Sequence, residues 1–187
     1  MKKGLLIILS GPSGVGKGTV RSHFVTNPEL NIAFSISMTT RKKREGEVDG
    51  RDYYFVDRER FLKAVDNDEL LEYAEFVGNY YGTPTHAVEE LRNQGKNVLL
   101  EIEVQGASQV KAKVPDALTI FLVPPSMEEL EKRIRGRRTE EEEIVQKRLA
   151  KAKKEMDLLG QYKYVVCNEI PEEAAEIISK IIKTNME

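Results

Sequence analysis

Residues 5–19 read Leu5-Leu6-Ile7-Ile8-Leu9-Ser10-Gly11-Pro12-Ser13-Gly14-Val15-Gly16-Lys17-Gly18-Thr19. The unbroken apolar run up to Leu9 is the pattern of a strand buried on both faces. Gly11-x-x-x-x-Gly16-Lys17 follows that strand and leads into a pattern that predicts a helix to about residue 27, which is the setting a phosphate-binding loop requires. The glycines let successive backbone N–H groups face one anion, and the helix N-terminus adds partial positive charge. Lys17 then reaches the β- and γ-phosphates of a nucleoside triphosphate. Gly11, Pro12, Ser13, Gly14, Val15, Gly16, Lys17, Gly18 and Thr19 are therefore the candidate phosphate-loop residues. Gly18 stands where Ser or Thr usually offers a hydroxyl to Mg²⁺. Thr19 is the candidate substitute, with the ion otherwise held through water and phosphates. Such a loop fixes a ligand class and not a reaction. A GTPase would also carry an Asn/Thr-Lys-x-Asp base-reading motif, and the sequence has none. That leaves a kinase acting on a small acceptor, or a relic of one.

Outward from the loop, strand patterns alternate with helix patterns. Strands are expected at 32–37, 70–77, 98–104, 118–123 and 164–167. Asp57 is placed to cap a helix carrying Phe61, Leu62 and Val65. Thr83-Pro84 opens another helix, with proline at its first position, that closes at Gly95. Ser126-Met127-Glu128-Glu129 and Thr139-Glu140-Glu141-Glu142 are capping boxes. The second begins a long helix with Val145, Leu149, Ala152, Met156 and Leu159 on one stripe and Gly160 as its stop. Residues 171–184 form the closing helix. The alternation predicts an α/β fold with a doubly wound, mostly parallel sheet. Residues 37–84 break the rhythm and read as a small inserted lobe.

The 187 residues suit one α/β domain with small insertions. A formal net charge of −2, despite 29 Lys and Arg residues, argues against a general nucleic-acid coat. The basic residues gather at 41–44, 133–138 and 147–154, a distribution suited to a small polyanion or to solvated helix faces. No stretch approaches the roughly 20 apolar residues of a membrane span. Cys167 is the only cysteine, so no internal disulfide forms and a cytoplasmic location is expected. It is read as a small buried residue. His23 and His86 lack metal-ligand spacing and receive no role.

The second informative stretch is Ser35-Ile36-Ser37-Met38-Thr39-Thr40-Arg41-Lys42-Lys43-Arg44-Glu45-Gly46-Glu47, followed by Gly50-Arg51-Asp52-Tyr53. Arginine forks match phosphate oxygens bidentately and a phenol adds a neutral donor. In isolation the segment reads better as a solvated basic loop. With Glu72, Gly78–Thr83, Glu101-Ile102-Glu103-Val104-Gln105-Gly106, Pro124-Pro125-Ser126, Arg137 and Arg148 in order behind it, the chain resembles the guanylate kinase family over nearly its whole length.

The resemblance implies a P-loop nucleoside-monophosphate kinase. Its core would be about residues 1–36, 85–125 and 161–187, its GMP-binding lobe about 37–84 and its helical lid about 126–160. Arg41, Arg44, Tyr53 and Tyr81 would hold the phosphate of GMP, while Ser37, Glu72 and Thr83 read the guanine. A carboxylate accepts two hydrogen bonds from the guanine N1–H and exocyclic amine, an arrangement adenine does not offer. Glu101 and Glu103 stand where the family usually has Asp. Read from the pattern alone, they share one face at the carboxyl end of a strand. They position Mg²⁺ through water, hydrogen-bond the acceptor nucleoside, or form a salt-bridged pair. Lys17, Arg137 and Arg148 would carry catalysis, and Asn168 looks like the family's adenine contact. The implied reaction is ATP-dependent, Mg²⁺-assisted phosphorylation of GMP, with dGMP as a second acceptor and neither nucleic acid nor membrane as partner. Two alternatives stand beside it. A kinase of AMP or dTMP would lack the guanine-reading set. A non-catalytic guanylate-kinase-like binding module would have a damaged phosphate loop.

Overall fold

The computed structural model describes residues 2–136 and 141–187. In chain order the elements are β1 (Leu6–Ser10), α1 (Lys17–Ser22), β2 (Ile32–Phe34), β3 (Met38–Thr39), β4 (Tyr54–Phe55), α2 (Arg58–Asp66), β5 (Leu70–Phe76), β6 (Asn79–Pro84), α3 (Thr85–Asn93), β7 (Asn97–Glu101), α4 (Val104–Lys113), β8 (Leu118–Val123), α5 (Met127–Gly136), α6 (Glu142–Met156), β9 (Tyr164–Cys167) and α7 (Pro171–Met186). A five-stranded sheet has the order β2-β7-β1-β8-β9, and a four-stranded sheet the order β4-β3-β6-β5. The α/β class expected from the alternation is the one observed. Chain contacts divide the protein into two compact units.

One unit holds Ile7–Ile32, Leu100–Val104 and Leu118–Glu187. Here β1 pairs in parallel with β8, and β8 with β9. Ile7, Ile8, Leu9, Ile120, Phe121 and Leu122 are fully buried, which explains the unalternating apolar runs of β1 and β8. Leu130 and Ile134 of α5, Val145, Leu149 and Ala152 of α6, and Ile178 and Ile182 of α7 complete this core. Each such Leu, Ile or Phe stabilises by about 1.5–3 kcal/mol. The Ser126 hydroxyl accepts from the Glu129 N–H at 3.1 Å, as the first capping box requires. Thr139 of the second box lies outside the described residues.

The other unit holds Met1–Leu6, Ala33–Leu99 and Gln105–Ala117. Its four-stranded sheet packs Met38 and Leu70 against Phe61 and Ala64 of α2. The Asp57 carboxylate accepts from the Arg60 N–H at 2.7 Å and caps that helix, as its position predicted. Phe61 is buried and stacks on Tyr80 at 5.2 Å, whereas Leu62 points outward.

Several boundaries differ from the sequence pattern for physical reasons. α1 ends at Ser22, not near residue 27. His23, Phe24 and Asn27 donate to carbonyls three residues back and Val25 to one four residues back, a run of loose turns that the pre-proline Asn27 brings to an end. β7 stops at Glu101, and residues expected at its end begin α4 instead. The segment before α3 is a strand, β6, paired with β5 through a two-residue turn at Val77 (φ 50°) and Gly78 (φ 76°). Both positive angles give the hairpin twist that flanking strands favour. Pro84 consequently ends β6 and flanks α3 rather than occupying its first turn. Cys167 is exposed rather than buried, since it follows the inward-facing Val166 at the end of β9.

Candidate active site

The phosphate loop is shaped by close backbone approaches. A side chain at Gly11 would meet the Leu122 carbonyl at 2.5 Å, and one at Gly16, whose φ is 97°, would meet the Asn168 amide nitrogen at 2.8 Å. Behind the loop, the Val15 carbonyl accepts from Asn168 Nδ2 at 2.8 Å and from the Arg133 guanidinium at 3.2 Å. Arg133 also donates to the Asn168 carbonyl at 3.0 Å, tying loop, α5 and the end of β9 together. In front, Lys17 Nζ donates to the Gly11 carbonyl at 2.8 Å, and Arg148 of α6 reaches the Ser13 hydroxyl at 3.0 Å.

The loop opens on a cavity of about 470 Å³ whose wall includes Ser13, Lys17, Thr19, Glu101, Glu103 and Glu155. Burial holds the Lys17 ammonium below the usual lysine range, and Glu101, Glu155 and Glu103 pull it back up. Glu101 pairs with Arg21 of α1 at 2.7 Å, and Glu103 with Lys151 of α6 at 3.0 Å. Glu155 is 8% exposed, and one of its oxygens is buried without a hydrogen-bond partner. Burial raises its carboxyl above the usual carboxylate range, while Lys151 and Lys17 act against the rise.

Among the described residues, no group of three or more His, Cys, Asp or Glu side chains is arranged to hold a metal ion. The oxygen donors on the cavity wall are the Thr19 hydroxyl and the Glu101, Glu103 and Glu155 carboxylates, the hard-ligand chemistry that suits Mg²⁺.

In the other unit, Arg41 forks onto Glu47 through two bonds, at 2.8 and 3.1 Å. Its guanidinium lies 5.3 Å from the Tyr53 ring, and Tyr53 and Tyr81 meet edge to face at 6.2 Å. The Glu47 bond lifts Arg41 above the usual arginine range, and Arg41 lowers Glu47 in turn. Arg44 donates its backbone N–H to the same Glu47 carboxylate at 2.8 Å, while its side chain is exposed. Thus Arg41, Tyr53 and Tyr81 form one cluster, with Arg44 on its rim.

A second cluster gathers on β5 and β6. Glu72 and Thr83 are paired across the hairpin, and the Thr83 hydroxyl donates to Glu72 Oε1 at 2.6 Å. Burial raises the Glu72 carboxyl above the usual range, and the Thr83 bond partly opposes this. The β3–β6 register pairs Met38 with Gly82, and Ser37 directly precedes β3.

Residues 3–185 match the guanylate kinase family model. The chain is 55% identical over 182 residues to the guanylate kinase of Lactococcus lactis, covering 97% of this chain and 88% of that one. It is also 55% identical over 181 residues to that of Bacillus cereus, with the same coverage. The protein belongs to the guanylate kinase family. The crystal structure of the Anaplasma phagocytophilum guanylate kinase agrees, superposing with a TM-score of 0.71 at 37% identity over 100% of this chain and 88% of that one.

Within that family frame, the loop residues, Lys17, Thr19, Arg148 and Asn168 stand with Glu101 and Glu103 in one unit. Ser37, Arg41, Arg44, Tyr53, Glu72, Tyr81 and Thr83 stand in the other. Arg137 lies outside the described residues. Sequence reasoning missed three contributors. Glu47 sits in the quoted motif, where nothing marks it apart from the basic residues around it. Arg133 belongs to a basic run with nothing to single it out, and Glu155 directly follows the basic run 147–154 with no motif of its own.

Proposed function

We propose that this protein transfers the γ-phosphoryl group of ATP to GMP, giving ADP and GDP, and that it also accepts dGMP. The observation that carries the choice of acceptor is the half-buried Glu72 carboxylate fixed by the hydroxyl of the buried Thr83. Its oxygens accept from the guanine N1–H and exocyclic amine, with Ser37 and Thr83 completing the base site. Adenine would leave these polar groups unpaired beneath the bound base, which costs far more than a lost apolar contact. Arg41, Arg44, Tyr53 and Tyr81 hold the acceptor phosphate. Glu47 keeps Arg41 oriented until that phosphate arrives.

On the donor side, the loop from Gly11 to Thr19, with Lys17, Arg148 and Arg137, would surround the transferring group. Phosphoryl transfer depends on positioning and on cations about the equatorial oxygens more than on covalent participation. Mg²⁺ supplies further charge neutralisation on the β- and γ-oxygens when bound. Thr19 would face it directly, and Glu101 and Glu103 through water. Asn168 serves ATP by holding the loop. Residues 37–84 act as the acceptor lobe and 126–160 as a lid, whose closure excludes water and limits wasteful ATP hydrolysis. A cytoplasmic setting, where nucleotides and reduced thiols coexist, goes with this reading.

A coupled ADP-release assay with ATP·Mg and GMP, dGMP, AMP, CMP, UMP or dTMP tests the proposal. Turnover should be confined to the two guanine nucleotides. Comparable turnover with AMP would sink the base assignment, and none with any acceptor would favour a binding module.

A further inference from the structure

α4 carries an apolar side of Val104, Ala107 and Val110, all buried. Between them lies Gly106, the residue type that most weakens a helix short of proline. Its φ is not in the left-handed region, so its backbone does not demand glycine. What demands it is space. A Cβ at Gly106 would lie 2.9 Å from Glu72 Oε2 and 3.5 Å from Glu72 Cδ. The other carboxylate oxygen, Oε1, is already fixed by Thr83 at 2.6 Å. Glu72 is thus held between a hydroxyl on one side and a missing methyl group on the other.

We infer that Gly106 is a positioning residue for acceptor recognition: its lack of a side chain leaves the room in which the Glu72 carboxylate stands to read the base. This rests on the base-reading role given to Glu72 above. The colliding atom is the end of a flexible side chain, so Ala at 106 leaves α4 intact and displaces the carboxylate. Restoring an ordinary contact of 3.4 Å or more moves it by about 0.5–1 Å, enough to break a hydrogen bond pair and lose roughly ten- to a hundredfold in rate. The helix itself gains from the exchange, since Ala is the better helix former.

Gly106→Ala should therefore raise KM for GMP or lower kcat/KM by about tenfold or more, with KM for ATP unchanged and Tm equal to or above wild type. Discrimination between GMP and inosine monophosphate, which lacks the exocyclic amine, should shrink. A general loosening of the fold would not change that ratio. In a Glu72→Ala background, Gly106→Ala should add nothing, because no carboxylate remains to displace. Wild-type GMP kinetics in a well-folded Gly106→Ala protein would overturn the inference. So would a lowered Tm in both Gly106→Ala and the double variant, which would assign Gly106 to packing alone. Glu72→Ala with unchanged GMP kinetics would defeat the base-reading role itself and this inference with it. A damaging Glu72→Ala beside a silent Gly106→Ala would defeat the inference only.

Discussion

Replacing Glu155 by Gln keeps its shape and removes one charge from the wall of the phosphate cavity. Glu155 is nearly inaccessible, one carboxylate oxygen has no hydrogen-bond partner, and Lys151 Nζ lies 3.9 Å from the other. A nucleotide phosphate entering this cavity meets a like charge in a poorly solvated place. At about 6 Å and an effective dielectric of about 20, one pair of unit charges interacts by about 3 kcal/mol. Lys17 on the same wall and Lys151, 3.9 Å from the carboxylate, offset about half of this. The remainder is about 1.4 kcal/mol, or about tenfold in Kd. Isothermal titration of wild-type and Glu155→Gln protein with ADP should show the variant binding about tenfold tighter. The pH dependence has a definite sign. Because burial raises the carboxyl above its ordinary value of 4.5, lowering the pH toward the raised value neutralises it, so wild-type affinity rises. The variant lacks that component and retains only the titration of ADP itself. Stability follows the same linkage: an acid with a raised folded pKa costs stability as pH rises from 4.5 through that pKa. The Tm advantage of the variant should grow over the same range. Equal or weaker ADP binding by Glu155→Gln would refute the reasoning and make Glu155 a support of the loop.

Asn168→Ala removes the 2.8 Å bond to the Val15 carbonyl in a buried place and should cost about 1–2 kcal/mol in urea unfolding. If Asn168 acts through the loop, binding of ATP and of inorganic tripolyphosphate should weaken by the same factor; loss for ATP alone would make it an adenine contact. Val77 is 82% exposed at a φ of 50°, which a β-branched residue tolerates badly. Val77→Asn should stabilise the protein by about 1 kcal/mol with GMP kinetics unchanged, as thermal melts and the coupled assay would record.

The central strands were legible because burial on both faces leaves a continuous apolar signature, as in β1 and β8. The loop was legible because its spacing is dictated by one anion. α4 was not, since its inward residues are small and Gly106 interrupts them, so the window resembled the end of a strand. β6 was hidden because Gly82 and Pro84 weaken its pattern and Val77 is an unusual turn residue. The clusters of the site depend on contacts far apart in the chain. Arg133 and Asn168 meet at Val15 across more than a hundred residues. No local pattern encodes such a meeting, and the resemblance to a family pointed to Asn168 alone, as an adenine contact. Glu155 had no such guide, because a carboxylate among lysines on a helix ordinarily faces solvent.

Cys167 offers a practical handle. It is the sole cysteine of the chain, it is exposed, and its neighbour Asn168 is bonded directly to the phosphate loop. A thiol-reactive fluorophore would attach at one defined point, one residue from the loop's buttress. Occupancy of the donor site then becomes an optical signal, readable without turnover and in variants whose catalysis has been removed.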